Sequence, residues 1–229
     1  MFQRSKPSWV WITKEILLAQ RIKEIKTQVR HPDRRTIIFD DGTFIGISEE
    51  VLLSNPVHPG DKLTPTKLKE LTNSEKRQKL RDSALNLLSF RMRSRSELKQ
   101  RLLKKGYDIQ DIEPLLEEFD AKNILNDSEF ALAFSRDKIR SKGIGPSILR
   151  VELSNHHLSR NLVEDTINRM YTEFPIDTLL GNHLKKKKIL RNSQLQEREK
   201  NRIVNFLKRK GFSWDDISRV FDEKQITCL

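Results

Sequence analysis

The sequence predicts a mainly α-helical chain of three tandem three-helix modules behind a small N-terminal β-hairpin region, and three observations carry that prediction. The first is a repeated phrase. Leu102-Leu103-Lys104-Lys105-Gly106-Tyr107-Asp108-Ile109-Gln110-Asp111-Ile112 matches Leu207-Lys208-Arg209-Lys210-Gly211-Phe212-Ser213-Trp214-Asp215-Asp216-Ile217 position for position. Each is a basic helix end, a glycine and aromatic stop, and the start of a second amphipathic helix. Between them, Leu153-Ser154-Asn155-His156-His157-Leu158-Ser159-Arg160-Asn161-Leu162-Val163 fits the same frame with His157 in the glycine's place. Copies roughly fifty residues apart mark a tandem helical repeat. The second observation is composition: 36% of residues are hydrophobic and 33% charged, which suits small modules with thin cores. The third is punctuation, since strand and turn signals stop before Thr66 and helix caps take over from there.

Taken in order, residues 1–20 have no clear period and are left unassigned. The Trp9-Val10-Trp11-Ile12 stretch within them is too short for a signal peptide and is soon followed by Lys14 and Glu15. Residues 21–29 alternate in a way that suits strand or helix. Arg35-Thr36-Ile37-Ile38-Phe39 is β-branched and aromatic, Asp40-Asp41-Gly42 is turn chemistry, and Thr43-Phe44-Ile45-Gly46-Ile47 returns, which reads as a hairpin. Asp40 and Asp41 are placed at its apex and not in a catalytic carboxylate pair. Residues 55–65, with Pro56, Pro59, Pro65 and a Gly60-Asp61 step, read as a linker that closes the N-terminal region at residue 65.

The three modules are expected over residues 66–125, 126–174 and 175–229, with nine helices between about residue 75 and residue 223. In the first, Ser94 and Glu97 form a capping box, with the serine oxygen accepting a backbone N–H and the glutamate reaching back to the cap. Leu98 and Leu102 then share an inner face, Arg95 and Lys99 an outer one, and Gly106 ends the helix. The next helix is expected to bury Ile109, Ile112, Leu115 or Leu116, and Phe119; Pro114 implies a late cap at Asp111 or a bend. In the second, Asn126 and Glu129 cap a helix carrying Phe130, Ala133, Phe134 and Ile139; Gly143-Ile144-Gly145 breaks it and Pro146 opens the next. In the third, Ser213 and Asp216 repeat the cap before Trp214, Ile217, Val220 and Phe221.

The chemistry is one of charge. A formal net charge of +12 points to a polyanion or an acidic protein surface as partner. Residues 76–105 carry eleven Lys/Arg against Asp82 and Glu97, a net of +9, and residues 185–210 carry eleven against Glu197 and Glu199, again +9. Residues 106–130 carry one Lys against eight Asp/Glu. Segregation of this kind reads as a basic surface more than as an ordinary solvated face. The candidate contact residues are Arg91, Arg93, Arg95, Lys99, Lys104 and Lys105; Arg136, Lys138, Arg140, Lys142 and Arg150; and Lys185, Lys186, Lys187, Lys188, Arg191, Arg202, Lys208, Arg209 and Lys210. Arg91, Arg93, Arg95 and Lys99 precede or begin one helix, at the positive end of its dipole, so an incoming anion is expected to offset their repulsion.

No enzyme, cofactor or metal site is expected. Gly143-Ile144-Gly145 lacks a third glycine at Ile148 and follows a helix, and no Walker-type loop occurs. His31, His58, His156, His157 and His183 have no zinc spacing, and the His156-His157 pair reads as a helix-end dipole contact or an exposed pair. The single cysteine, Cys228, excludes a disulfide framework, and no apolar run is long enough for a membrane helix, so the expected setting is the cytoplasm.

At Arg91-Met92-Arg93-Ser94-Arg95-Ser96-Glu97-Leu98, followed by the basic helix and Lys105-Gly106-Tyr107, the chain resembles the RecX family, regulators of the bacterial recombinase RecA. Leu125-Asn126-Asp127-Ser128-Glu129-Phe130-Ala131, and Gly143-Ile144-Gly145-Pro146-Ser147-Ile148 before Glu152-Leu153, resemble the family's second module. The chain departs from the pattern at Met92, where relatives often have proline, and at His157, where they often have glycine. The resemblance implies an all-helical chain of three-helix modules that bends along the groove of the RecA–DNA filament, acts in recombination and repair, and blocks filament growth or strand exchange. The partners it implies are the RecA filament and single- or double-stranded DNA, with no enzymatic activity; a monomer is expected. A sequence-reading or architectural DNA binder of helix-turn-helix type is the alternative, although basic residues spread over several helices favour contact with a backbone or a filament.

Overall fold

The computed structural model describes residues 19–228, and the readings placed on residues 1–18 lie outside them. The chain divides after Asn86 into two compact units.

The first unit is built on a four-stranded antiparallel sheet. Strands β1 (Gln20–Thr27), β2 (Arg34–Phe39) and β3 (Phe44–Ser48) form a meander, and alternation turns Ile22, Ile37, Phe39 and Ile47 into the core. The turn joins β2 to β3, with Phe39 N–H donating to Thr43 O at 2.9 Å and Gly42 at φ +83°. Asp41 accepts from the backbone N–H and the hydroxyl of Thr43 (2.9 and 2.6 Å), which holds its carboxyl below its ordinary value and makes it a turn residue. Two elements have no counterpart in the sequence reading. One is the short helix α1 (Glu49–Ser54), N-capped by Ser48. The other is β4 (Lys62–Leu63), which pairs with Gln20 and Arg21 and so folds part of the proline-rich stretch into the sheet, giving the order β3-β2-β1-β4. Helix α2 (Pro65–Phe90) opens with proline at its first position, and Leu68 and Leu71 close the sheet's core. Glu75 of α2 is buried but satisfied, by Arg34 of β2 (2.6 Å) and the Ser48 N–H (2.8 Å).

The second unit holds α3 (Arg95–Lys104), α4 (Ile109–Ala121), α5 (Asp127–Lys142), α6 (Pro146–Ser154), α7 (Arg160–Glu173), α8 (Ile176–Lys186), α9 (Glu197–Arg209) and α10 (Trp214–Glu223). With α2 these make nine helices after residue 64 among the described residues. Strands β5 (Gln194–Leu195) and β6 (Thr227–Cys228) add a two-stranded parallel pair, too short to leave a periodic signal. The repeated frame is realised in the backbone: Gly106, His157 and Gly211 have φ of +91°, +54° and +95°. His157 thus takes the left-handed conformation that glycine takes in the other copies.

The caps at Asn126 and Ser213 form as predicted, accepting from Glu129 N (3.0 Å) and Asp216 N (3.1 Å), and Pro146 opens α6. At Ser94 only half of the capping box forms. Its hydroxyl accepts from Glu97 N at 3.1 Å, but the Glu97 carboxylate goes to arginines instead of back to the cap, and its second oxygen is buried without a hydrogen-bond partner among the described residues. Helix α4 begins after Asp108 and runs through Pro114, so there is no late cap. Ile112, Leu115, Leu116 and Phe119 are buried, whereas Ile109 is 40% exposed. In α5 the buried small residue is Ala131 and not Ala133, and Trp214 of α10 is 50% exposed and not core. Ile109 and Trp214 are the first residues of their helices, where the inward stripe has not yet met its packing partners, and Ala133 lies on the face opposite the buried residues of α5.

The second and third modules share one core, from Phe130 to Ile226. Their joint is a backbone contact. Gly145 N–H donates to Lys210 O at 2.7 Å and Ser147 N–H to Gly211 O at 3.1 Å, and a Cβ on Gly145 would lie 2.5 Å from the Gly211 carbonyl. The first module meets the second through Arg95 N–H to Asp127 Oδ1 (2.7 Å) and the Ser94 hydroxyl to His156 O (3.3 Å). Among the described residues no helix is long and apolar enough to cross a membrane, and no cluster of metal-ligating side chains occurs.

Candidate nucleic-acid interface

The basic residues predicted as contacts fall into two groups, according to whether the fold supplies them with a carboxylate. In the first module it does so for Arg91, Arg93, Arg95 and Lys99. Arg95 pairs with Asp120 and with Glu113 (2.9 Å), and Lys99 pairs with Glu113. The Lys99 hydrogen bond, with Arg95 beside it, holds the Glu113 carboxyl below its ordinary value. Arg91 and Arg93 converge on Glu97 (2.5 Å each). Arg93 is only 8% exposed, with Nε donating to Leu87 O at 2.9 Å. This corrects the expectation that the N-terminal end of α3 lacks local compensation: the acidic run that looked segregated along the chain is α4, folded directly against α3. It also corrects the view of Arg93 as a surface residue. Lys104 and Lys105 at the end of α3 are exposed.

The second module follows the same rule. Arg136 pairs with Glu173 (2.9 Å), and Arg140 lies 3.9 Å from Glu173 and over the Phe174 ring. Lys138 pairs with Glu152 (2.9 Å), and Arg150 makes a two-pronged bond to Glu164 (2.7 and 2.8 Å) that keeps the Glu164 carboxyl low. Of the five predicted contact residues here, only Lys142, the last residue of α5, has no ion pair among the described residues.

The third module departs from the rule. Lys185, Lys186, Lys187, Lys188, Arg191, Arg202, Lys208, Arg209 and Lys210 have no carboxylate within salt-bridge range among the described residues, and all but the half-buried Lys210 are exposed. For three of them an aromatic ring stands where an acid does elsewhere. The Lys187 ammonium lies 4.2 Å and that of Lys210 5.9 Å from the centre of the Phe206 ring, while Lys208 lies 5.3 Å from that of Trp214. Phe206 and Trp214 as partners of these cations escaped sequence reasoning, because the approach of Lys187 to Phe206 joins two helices with no shared spacing.

Two histidines are structural. His183 is buried at the joint, with Nε2 2.7 Å from Gly143 O, and burial lowers its basicity below the ordinary histidine value, with Lys210, Lys186 and Lys187 acting in the same direction. His156 lies half-buried, edge-on to Phe130 and Phe134 (4.9 and 4.7 Å), which overturns the exposed-pair reading for it; His157 alone is exposed.

Comparison with known proteins places this arrangement. The RecX first three-helix domain matches residues 81–119, the second residues 126–167 and the third residues 182–221. "Regulatory protein RecX" of Bacillus subtilis is 29% identical over 205 residues, covering 88% of this chain and 76% of the relative. That of Clostridioides difficile is 29% identical over 206 residues, covering 88% and 94%. Among solved structures, a crystal structure of regulatory protein RecX superposes with a TM-score of 0.69 at 20% identity, covering 89% of this chain and 99% of that one. RecX from Lactobacillus salivarius superposes with a TM-score of 0.57 at 24% identity, covering 66% and 98%. Matching all three domains of one family in order, over more than half of its length, the chain belongs to the RecX family.

Proposed function

We propose that this protein regulates the RecA recombinase, binding the RecA filament, its DNA or both, and that it opposes filament growth and strand exchange as a cytoplasmic monomer without enzymatic activity. The observation that carries this reading is the third module, in a chain of a regulatory family: nine cations without carboxylate partners, where the cations of α3, α5 and α6 are largely paired. Such a surface attracts polyanions and acidic protein faces. A helix-turn-helix reading of base sequence is less well supported. The last helices of the first and third modules, where a recognition helix would sit, are acidic: Asp111, Glu113, Glu117, Glu118 and Asp120 on α4, and Asp215, Asp216, Asp222 and Glu223 on α10.

The test is RecA assembly on single-stranded DNA, followed by light scattering with this protein added from well below to equal the RecA concentration. Reduced filament growth is expected. Unchanged rate and extent of assembly, together with unchanged strand exchange, would refute the reading.

A further inference from the structure

Three helices end at the joint between the second and third modules. α5 ends at Lys142, α8 at Lys186 and α9 at Arg209, and two hydrogen bonds tie these ends together, the backbone bond from Gly145 N–H to Lys210 O and the bond between the His183 ring Nε2 and Gly143 O, both at 2.7 Å. Two ammonium groups meet there as well. The Lys210 ammonium donates to the Lys142 backbone carbonyl at 3.2 Å, and the ammonium groups of Lys187 and Lys210 lie 4.2 and 5.9 Å from the centre of the same Phe206 ring, which bounds their separation at about 10 Å.

The plain explanation is that lysines compensate for the negative ends of helices. The magnitudes do not balance. Each helix C-terminus presents about half a negative charge, so three present about one and a half. Lys142, Lys186, Lys187 and Lys210 bring four positive charges, and none has a carboxylate within salt-bridge range among the described residues. The same fold neutralises comparable cations elsewhere, as Glu113 does for Arg95 and Lys99.

The geometry points to a phosphate-binding site at this joint, formed by the ammonium groups of Lys187 and Lys210 and backed by the charges of Lys142 and Lys186 on the helix ends that meet there, that takes the phosphodiester backbone of a nucleic acid. Lys210 commits one of its three N–H donors to Lys142 O and keeps two for an anion. An ammonium group is a point charge that suits phosphate oxygens without reading bases, and half-buried Phe206 beneath two of them is no platform for stacking. The site is held in shape by the Gly145–Gly211 contact, which leaves no room for the two modules to slide. This site deepens the reading that the protein works on a nucleic-acid filament and rests on it; DNA binding measured without RecA separates the two.

The experiment compares full-length K142A/K187A/K210A with a charge-matched control, K185A/K188A/R191A, by anisotropy of a labelled single-stranded oligonucleotide over a range of salt. Expected is a loss of at least about tenfold in affinity for the joint variant, with a log–log salt slope reduced by about 0.7 for each phosphate contact removed, against a few-fold loss for the control. Equal losses in the two variants would overturn the site in favour of diffuse attraction, as would no loss in the joint variant. Circular dichroism checks the fold; should the triple variant misfold, K187A alone, at an exposed position, is expected to lose more affinity than K188A, and parity between the two would overturn the site. Inorganic phosphate at matched ionic strength is expected to compete no better than chloride. Competition at low millimolar phosphate would overturn the assignment to a phosphodiester chain. A joint variant that loses DNA while the wild type leaves RecA assembly untouched would uphold the site and refute the filament reading.

Discussion

Arg93 and Lys99 stand six residues apart in one basic run, yet the fold gives them different work. Arg93 is buried, bonded to Leu87 O and to Glu97; Lys99 sits half-exposed over Glu113. Removing a buried, hydrogen-bonded charge leaves its partners unpaired, whereas removing one of two cations on a half-exposed carboxylate costs little. Arg93→Ala is therefore expected to destabilise by about 2 kcal/mol and Lys99→Ala by about 0.5 kcal/mol or less, measured by urea denaturation. Equal effects would contradict the assignment. The sequence showed the basic run and the inner-face leucines Leu98 and Leu102 because both follow from helical spacing. It could not show that Arg93 turns inward, because its acceptor, the Leu87 carbonyl, is a backbone group that no side-chain pattern announces. Nor could it show that α4 neutralises α3, since charges segregated along a chain meet when adjacent helices pack.

The repeat was legible at the level of the element because a left-handed stop is a local requirement, met by Gly106, Gly211 and, at some strain, His157. His157→Gly is expected to relieve that strain and stabilise by about 0.5–1 kcal/mol. A lower denaturation midpoint in this variant would contradict it. The joint was not legible, because Gly145 has an ordinary φ of −92° and is small only for what lies against it. Gly145→Ala is expected to cost about 1–3 kcal/mol by pushing Cβ into the Gly211 carbonyl. Gly106→Ala, with open space around its Cβ position but φ at +91°, is expected to cost about 1 kcal/mol from backbone strain alone. Calorimetry of the two variants separates the mechanisms: only Gly145→Ala should weaken the association of the second and third modules. The elements that escaped the sequence reading, α1, β4, β5 and β6, span six residues or fewer, too few for a period to register.

Across the whole molecule, the shared core and the joint make the second and third modules respond to pH together. Burial, with Lys210, Lys186 and Lys187 nearby, lowers His183 below its ordinary value of 6.5, and burial lowers His156 likewise. The unfolded chain then binds more protons than the folded one as pH falls through that value, so stability is full above it and declines below it. Between pH 7.5 and 5.5 the urea midpoint of the wild type is expected to fall, and that of His183→Gln to fall less. A wild-type midpoint unchanged over this range would contradict the role given to His183.

On the proposed function, the unpaired cations of the third module, and not the paired ones of the first, carry the effect on the recombinase. Assembly of RecA on single-stranded DNA in the presence of two charge-matched variants tests it most directly: K186A/K187A/K210A from the third module and R95A/K99A/R101A from the first, each checked for helical content. The third-module variant is expected to lose most of the inhibition while the first-module variant keeps it. Inhibition retained by the third-module variant and lost by the first-module one would contradict the claim.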